Sequence, residues 1–239
     1  MGSRTLLFVI FVLAIGIGAH AEPAPPSYDG IWFLGFNLHK DIFSGDTGSA
    51  VRKAVESSLS RDKIASAARR SVPDTGWIPA GLPGALSPSQ PVRNTARAKT
   101  LLKKAKLSSV DPRLKNISLL HTDGVQTVAI AKILANDLRQ IGIIVKRTQV
   151  PFRHQERWVE ELETGAHHLF LMGYKDPAAF QDDAAGTGEK IPYRPDPAAI
   201  LRPLFHSQGE ANFTYFRNSQ FDGLIEQADV YGNTDRSER

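Results

Sequence analysis

Between residues 117 and 173 the sequence alternates three short apolar segments with two amphipathic ones, and this alternation limits the fold more than any other feature. Ile117 to His121, Ile143 to Val150 and His168 to Gly173 predict strands, because they are short and mostly apolar or β-branched. The segments between them have the apolar spacing of helices. A strand-helix-strand-helix-strand order needs crossover connections, so we predict an α/β fold whose sheet has parallel neighbours and helices on its faces.

The first of these two helices has the clearest boundaries. Asp123 and Gln126 match a capping box at its start, and Gly142 follows its last periodic residue. The second helix is predicted over residues 153–164. The apolar stripe of the first helix consists of Ile130, Ile133, Leu134, Leu138 and Ile141.

Outside this block the sequence predicts one more strand and five helices. Residues 73–91 and 176–195 are rich in proline, glycine or polar residues, so both are predicted to be long loops, and loops of such length are often functional. Ser60 and Ser219 are expected to cap helices. The predicted strand is 31–37, and the predicted helices are 49–58, one from Arg61, 94–107, 197–205 and 219–230.

The N-terminus has the pattern of a secretory signal peptide. Arg4 precedes an apolar run of 14 residues, Leu6 to Ala19, and Ala19-His20-Ala21 is a small-x-small cleavage site. A membrane-spanning helix needs roughly 20 apolar residues. We therefore expect residues 1–21 to be removed by cleavage near Ala21, which places the protein in the periplasm or outside the cell.

The rest of the chain is expected to form one domain. Residues 22–30 are predicted to be an extended leader, 31–230 the folded α/β lobe, and 231–239 a frayed tail. The chain has no cysteine, so it cannot use disulfides or the thioether lipid anchor of bacterial lipoproteins, and its stability must come from its core.

Charge gives only weak information about partners. The net charge is +4. A groove that binds single-stranded nucleic acid usually has aromatic residues among its basic ones, and the densest basic cluster of this chain has none. We therefore predict no nucleic-acid partner and interpret the cluster as a solvated helix face. The cluster consists of Arg97, Lys99, Lys103, Lys104 and Lys106.

No catalytic or metal-binding motif is present in the sequence. It lacks a Gly-x-Ser-x-Gly turn, a phosphate-binding glycine loop with lysine, and a His-Glu-x-x-His helix. His167 and His168 are adjacent at the start of a predicted strand, so their side chains should point to opposite faces and not share a metal. We therefore predict a protein that is not an enzyme and has no catalytic residue, metal or cofactor.

Two features could serve a ligand. Asp176 and Asp196 flank a loop, with Asp182 and Asp183, that follows an apolar strand, and ligands of α/β sheets lie outside the carboxyl ends of strands. A carboxylate there could bind an ammonium group, or the loop could simply be solvated. Trp77 could present its indole to a ligand, or it could hold its loop against the core.

Seven segments, in order, resemble one protein family. They are similar to bacterial solute-binding proteins of the peptide/nickel ABC transporter family, family 5. No single segment is specific, but their order across residues 31–230 is. The segments are 33–38 (Phe-Leu-Gly-Phe-Asn-Leu), 51–55, 60–64, 78–83, 98–105, 138–145 (Leu-Arg-Gln-Ile-Gly-Ile-Ile-Val) and 196–225.

The resemblance implies one lobe of a type II periplasmic-binding-protein fold, a mixed sheet flanked by helices. Family members have two lobes that close over the ligand, and this chain resembles only the second, C-terminal lobe. Their ligand motif has a tryptophan after a strand glycine and an aspartate before a tyrosine, whereas here Tyr174 follows Gly173 and Pro192 precedes Tyr193. The implied ligand-binding residues are Asp176 in place of the lost aspartate, Tyr174, Tyr193, Trp77 and Asp196.

The resemblance therefore implies a periplasmic protein that binds a short peptide or similar small solute for ABC transport, without catalysis. Its expected partners are the solute, the transporter's membrane subunits, and either a second copy or a partner that supplies the second lobe. Two alternatives stay open: an exported interaction or dimerising protein that has lost solute binding, and a truncated, non-functional relic.

Overall fold

The chain folds around one four-stranded mixed sheet in the computed structural model, which describes residues 30–69, 76–78, 84–85, 92–175 and 197–237. The strand order is β1-β4-β2-β3, with β2 parallel to both β3 and β4 and β1 antiparallel to β4. This confirms the predicted α/β class with its parallel neighbours. The strands are β1 (Gly30–Phe36), β2 (Ile117–Thr122), β3 (Val145–Val150) and β4 (Leu169–Lys175).

The helices largely follow the predicted order. In the described residues, no helix is both long and apolar enough to cross a membrane. Helix α7 continues to Ser237, past its predicted end at Val230. The helices are α1 (Gly45–Ser58), α2 (Arg61–Ala68), α3 (Thr95–Lys104), α4 (Val125–Gln140), α5 (Gln155–Glu163), α6 (Ala198–Phe205) and α7 (Ser219–Ser237).

Helix α1 begins at Gly45, four residues before the start predicted at residue 49. A 3-10 turn at Asp41–Phe43 leads directly into it. Gly48 makes this possible because a Cβ there would lie 2.0 Å from the carbonyl carbon of Phe43. The sequence pattern missed this start because the first turn of α1 is held by close backbone packing and not by an apolar stripe.

Strand β4 supplies side chains to both faces of the sheet. Leu169 and Leu171 belong to a first core cluster, which is covered by α1, α3 and α4, whereas Phe170 belongs to a second cluster near α5 and α6. All three side chains are almost completely buried. A strand buried on both faces reads as a continuous apolar run, which is the pattern seen in the sequence.

The second cluster requires glycine at position 35. A Cβ on Gly35 would lie 2.1 Å from the ring of Phe170, which is fully buried. Gly35 and Phe170 are cross-strand partners in the β1–β4 pair. The missing side chain on β1 therefore leaves the space that the phenyl ring of β4 fills.

The capping box predicted for α4 is wrong. The Asp123 carboxylate accepts the backbone N–H of Phe152 at 2.7 Å, and the Gln126 amide donates to the carbonyl of Ala68 at 2.8 Å. Gly124 occupies the N-cap position, without a side chain to cap the helix. Both side chains instead bind neighbouring elements, a choice that local sequence spacing cannot show.

The two predicted serine caps are also wrong. Ser60 precedes α2 but makes no side-chain cap; its N–H and Oγ instead donate to the buried Asp137 of α4 at 2.7 and 3.1 Å. Arg93 completes this buried cluster with a hydrogen bond to Asp137 at 3.0 Å. At α7, Asn218 accepts the N–H groups of residues 220 and 221, so it and not Ser219 is the capping residue.

Asn37 ties the end of β1 to the chain that enters β4. Its side-chain amide donates to the carbonyls of Gly165 at 2.9 Å and His167 at 3.0 Å, and its oxygen accepts the N–H of His39 at 3.0 Å. The residue is fully buried. Because buried polar groups are costly unless hydrogen-bonded, this asparagine holds a specific geometry that an apolar residue could not.

His167 is buried without good polar partners. Among the described residues neither ring nitrogen has a hydrogen-bond partner, and the ring packs edge-to-face on Phe170, with centroids 5.5 Å apart. Burial lowers the pKa of His167 from 6.5 to about 4; the nearby Glu161 backbone opposes this shift, and Lys40 and His168 add to it. The imidazole is therefore neutral in the folded state at neutral pH.

We expect the two substitutions Gly35→Ala and Gly223→Ala to have opposite effects. The first places a methyl group against the Phe170 ring and should lower the free energy of unfolding by about 3 kcal/mol. The second adds a methyl group in α7, where no atom of the described residues lies within 4 Å, and should raise stability by up to about 1 kcal/mol. Urea unfolding of the two variants measures both effects, and equal effects would contradict the packing described for Phe170.

We expect His167 to make the fold sensitive to acid. In the unfolded chain the His167 imidazole binds a proton near pH 6.5, whereas in the folded chain it does so only near pH 4. The free energy of unfolding is therefore not reduced by this group above pH 6.5, and it falls as the pH drops from 6.5 towards 4. The loss should be about 3 kcal/mol. Urea unfolding of the wild type and of His167→Phe between pH 7 and 4 should show a steeper loss for the wild type. The exposed His154→Gln variant serves as the control, and parallel profiles for the wild type and His167→Phe would refute the assignment.

Candidate functional site

The carboxyl ends of the parallel strands form one edge of the sheet. Strands β2, β3 and β4 end at Thr122, Val150 and Lys175, and antiparallel β1 begins beside the end of β4 at Gly30. In open α/β sheets, ligands bind outside this edge. We call it the carboxyl edge.

Trp77 lies against the sheet near the carboxyl edge. Its ring contacts Phe33 of β1 and Phe205 of α6 edge-to-face, with centroids 5.8 and 4.3 Å apart. The residue is nevertheless 44% exposed, and the next residue, Ile78, packs on the second core cluster. The two interpretations of Trp77 are therefore compatible, because one part of the indole is held by the core and another faces solvent.

Tyr174 lies on the same face of the sheet as Phe33, which contacts the ring of Trp77. It is half-buried against the second core cluster and pairs with Ile31 of β1, two residues from Phe33. Successive partners two residues apart share one face. The structure thus brings Trp77 and Tyr174 to neighbouring positions around Phe33, whereas Asp176, Tyr193 and Asp196 lie outside the described residues and stay predictions.

Three exposed apolar residues at the carboxyl edge were missed by the sequence reasoning. Trp32 of β1 is 38% exposed, and its ring lies against Gly173, where a Cβ would be 3.3 Å from it. Phe152 follows β3 and Val125 begins α4, and both are largely exposed. The alternation within β1 predicts two faces but not which residues stay exposed, so no sequence signal marks these three.

His121 adds no positive charge to the carboxyl edge. Its ring is buried, and Nδ1 lies 2.7 Å from the carbonyl of Thr122, to which it can donate. Burial lowers the pKa of His121, the backbone hydrogen bond opposes this shift, and the charge of Arg147 adds to it. The described part of the carboxyl edge thus presents the exposed apolar side chains named above beside the charged Asp123 and Arg153, and these apolar side chains suit apolar groups of a ligand.

One serine and one histidine are within hydrogen-bond distance, but their geometry serves the sheet. Ser118 Oγ lies 2.9 Å from Nδ1 of His168 and accepts the backbone N–H of the same residue at 2.9 Å. Burial lowers the pKa of His168, and the charge of Lys40 adds to this. In the described residues no carboxylate orients this imidazole, and the pair lies at the amino ends of β2 and β4, opposite the carboxyl edge.

Other candidate sites in the described part of the chain are weak. No group of three or more His, Asp or Glu side chains is placed to hold a metal ion there. A cavity of about 360 Å³ lies beside α4 and includes Lys63 and Asp137, but that carboxylate already binds Ser60 and Arg93. The carboxyl edge is thus the best candidate for a ligand site.

Comparison with solved structures shows a known fold. The chain matches CtaP, an ABC transporter substrate-binding protein from Listeria monocytogenes, with a TM-score of 0.65 and 17% identity over 84% of this chain and 38% of CtaP. It matches NikA from Staphylococcus aureus, solved with nickel bound to L-histidine, with a TM-score of 0.64 and 20% identity over 84% of this chain and 39% of NikA.

The murein tripeptide-binding protein MppA from Escherichia coli is similar to the same extent. Its TM-score is 0.64, with 19% identity over 85% of this chain and 37% of MppA. The chain thus spans about two fifths of the length of these proteins, which fits a single lobe of the type II periplasmic-binding-protein fold.

Sequence comparisons identify the family. A search of the curated proteins found no match. The model of the bacterial extracellular solute-binding proteins, family 5 Middle, matches residues 19–188, well over half of the chain. Members of this family are binding proteins and not enzymes. The chain therefore belongs to the bacterial extracellular solute-binding proteins of family 5.

Proposed function

We propose that this protein binds a short peptide or a similar small solute for an ABC transporter, without catalysis, after export and removal of residues 1–21. The observation that carries the proposal is Trp77, whose indole is anchored edge-to-face on Phe33 and Phe205 yet stays 44% exposed at the carboxyl edge. An aromatic ring that is held rigidly and still faces solvent loses little entropy when a ligand packs on it.

The proposed site combines an apolar wall with a carboxylate. Trp77 and Tyr174 supply apolar contact, and Tyr193 extends it. Asp176 binds the ammonium group of the solute, and Asp196 adds a second negative charge. A paired carboxylate and ammonium give orientation, while the aromatic side chains give most of the buried area.

The described lobe would form one wall of the solute site. Small-molecule sites usually enclose most of the ligand surface, and two-lobed binding proteins achieve this by hinged closure. A single wall therefore should bind weakly, with a Kd on the order of 1 mM, about −4 kcal/mol. A second lobe or a partner that faces the carboxyl edge would raise the affinity.

A thermal melt with ligand tests solute binding. A pool of tripeptides at millimolar concentration should raise the melting midpoint of the exported, processed protein, because a ligand that binds only the folded state stabilises it. At ten times the Kd the stabilisation is about 1.4 kcal/mol. A cooperative melt that ignores the peptides would contradict solute binding, and a chain with no cooperative melt would support the relic alternative.

We expect Trp77→Ala to weaken peptide binding about tenfold and Trp77→Phe to weaken it less, because phenylalanine keeps part of the aromatic contact. NMR titration of each variant with one tripeptide measures the Kd. Val92→Ala is the matched control, since Val92 is 88% exposed but does not belong to the carboxyl edge. Equal Kd values for Trp77→Ala and Val92→Ala would rule out the indole as a ligand contact.

A second candidate function is self-association through the carboxyl edge. The observation that favours it is the exposure of Trp32, Val125 and Phe152 along this edge. Val125 and Phe152 follow the neighbouring strands β2 and β3, whereas Trp32 lies on β1 at the other side of the sheet. Exposed apolar side chains of this kind often mark interfaces. In this case sedimentation analysis should show a dimer in the absence of peptide, and Phe152→Asp should convert it to a monomer; a wild-type monomer at all concentrations would exclude this function.

A further inference from the structure

Helix α3 and the turn after it have a cationic outer surface, defined here as the side chains of Arg97, Lys99, Lys103, Lys104 and Lys106. All five residues are exposed, and none forms an ion pair with a described carboxylate. The chain has no acidic residue between Asp74 and Asp111, so nothing nearby in the sequence neutralises them. The two acidic residues of the adjacent α1, Asp46 and Glu56, do not pair with them either, and Glu56 faces Arg61 at 3.6 Å.

This surface is a dense cluster of positive charge in a chain whose charges otherwise nearly balance. The chain has 29 Lys and Arg and 25 Asp and Glu, which gives the net charge of +4. Without the five basic residues of the surface, the other 24 face 25 acidic residues. Residues 97–106 thus hold five of the 29 basic residues and no acidic one, so positive charge is concentrated there.

The stability of α3 does not explain these charges. Lys103 and Lys104 lie in the last turn, where cations interact favourably with the helix dipole, but Arg97 and Lys99 lie in the first half, where they do not. Lys99 and Lys103 are also four residues apart, so they repel each other on one side of the helix. A sequence that breaks a local rule without a structural gain usually does so for a function.

The composition of the cationic surface suits a partner with an extended anionic surface better than a single anionic group. Four of the five residues are lysines, which act as mobile point charges, whereas recognition of a defined phosphate or carboxylate usually uses the arginine fork. The other exposed side chains of α3, Ala96 and Thr100, are small, so the helix offers neither a recess nor an apolar group to insert. The buried side of the helix, with Ala98 and Leu102, is already packed in the first core cluster.

We propose that the cationic surface of α3 adsorbs the protein to the anionic phospholipid headgroups of a membrane. The interaction is electrostatic and peripheral, because the surface has no large apolar residue to enter the bilayer. Each basic residue close to an anionic surface strengthens adsorption about fivefold. The proposal is independent of solute binding, which concerns the other face of the sheet.

The test is co-sedimentation of the exported, processed protein with lipid vesicles. We expect binding to vesicles with about one third phosphatidylglycerol, little binding to pure phosphatidylcholine, and release at high salt, since charge attraction at a surface is screened within about 10 Å at 0.1 M salt. Equal binding to both vesicle types would overturn the proposal, because it would show apolar and not electrostatic adsorption. Absence of binding to the anionic vesicles at low salt would also overturn it.

Two matched triple variants localise the effect. The variant Lys99→Gln, Lys103→Gln, Lys104→Gln should bind anionic vesicles about 100-fold more weakly than the wild type. The control Lys63→Gln, Lys132→Gln, Lys146→Gln removes the same charge from exposed positions on α2, α4 and β3, and should bind nearly as well as the wild type. Equal losses would refute a specific surface and show only a dependence on net charge. Circular dichroism melts should change little in both, because all six side chains are exposed and an exposed charge near a helix end contributes only about 0.3–1 kcal/mol.

Discussion

The ring of Phe170 connects the core of this lobe to its candidate site. It fills the space that Gly35 leaves on β1 and meets the rings of Phe33 and His167 edge-to-face, with centroids 5.8 and 5.5 Å apart. Phe33 in turn holds the indole of Trp77, and Trp77 holds Phe205 of α6. This series of ring contacts leads from a fully buried side chain to one that is nearly half exposed, so the position of the exposed indole depends on the packing of β1 against β4.

The same pairing depends on polar contacts at the opposite end of the strands. Asn37 donates hydrogen bonds to two carbonyls of the chain that leads into β4. Ser118, near the start of β2, accepts the backbone N–H of His168, which directly precedes β4. Hydrogen bonds of this kind add little net energy, but leaving one partner unpaired inside the protein costs about 1–3 kcal/mol. They therefore select one register for β4, and this register places Tyr174 opposite Ile31 at the carboxyl edge.

Periodicity predicted the elements well because it reports burial, and burial determines most of this fold. The double-sided burial of β4 and the apolar stripe of α4, with Ile130, Leu134 and Leu138 buried, are visible in the sequence for this reason. The hydrogen bonds of Asp123 and Gln126 were predicted wrongly, because polar side chains near a helix start can equally bind another element. Here Asp123 accepts the N–H of residue 152, and Gln126 donates to the carbonyl of residue 68. Local spacing carries no information on which partner tertiary structure brings closer.

The exposure of Trp32 and Phe152 was missed for the same reason, since an aromatic residue is expected in the core unless the neighbouring elements are known.

The two surfaces proposed for binding lie on opposite sides of the sheet. Helix α3 packs through Ala98 and Leu102 on the first core cluster, whereas Trp77 and Tyr174 lie with the second cluster. The first surface is cationic and exposed, without large apolar groups; the second is aromatic and held in place by core packing. Because distant sites without shared partners usually have additive energies, a solute at the carboxyl edge should neither need nor disturb adsorption through α3. In the proposed arrangement the sheet separates the two surfaces, so that adsorption through α3 leaves the aromatic residues near the carboxyl edge free to meet a solute.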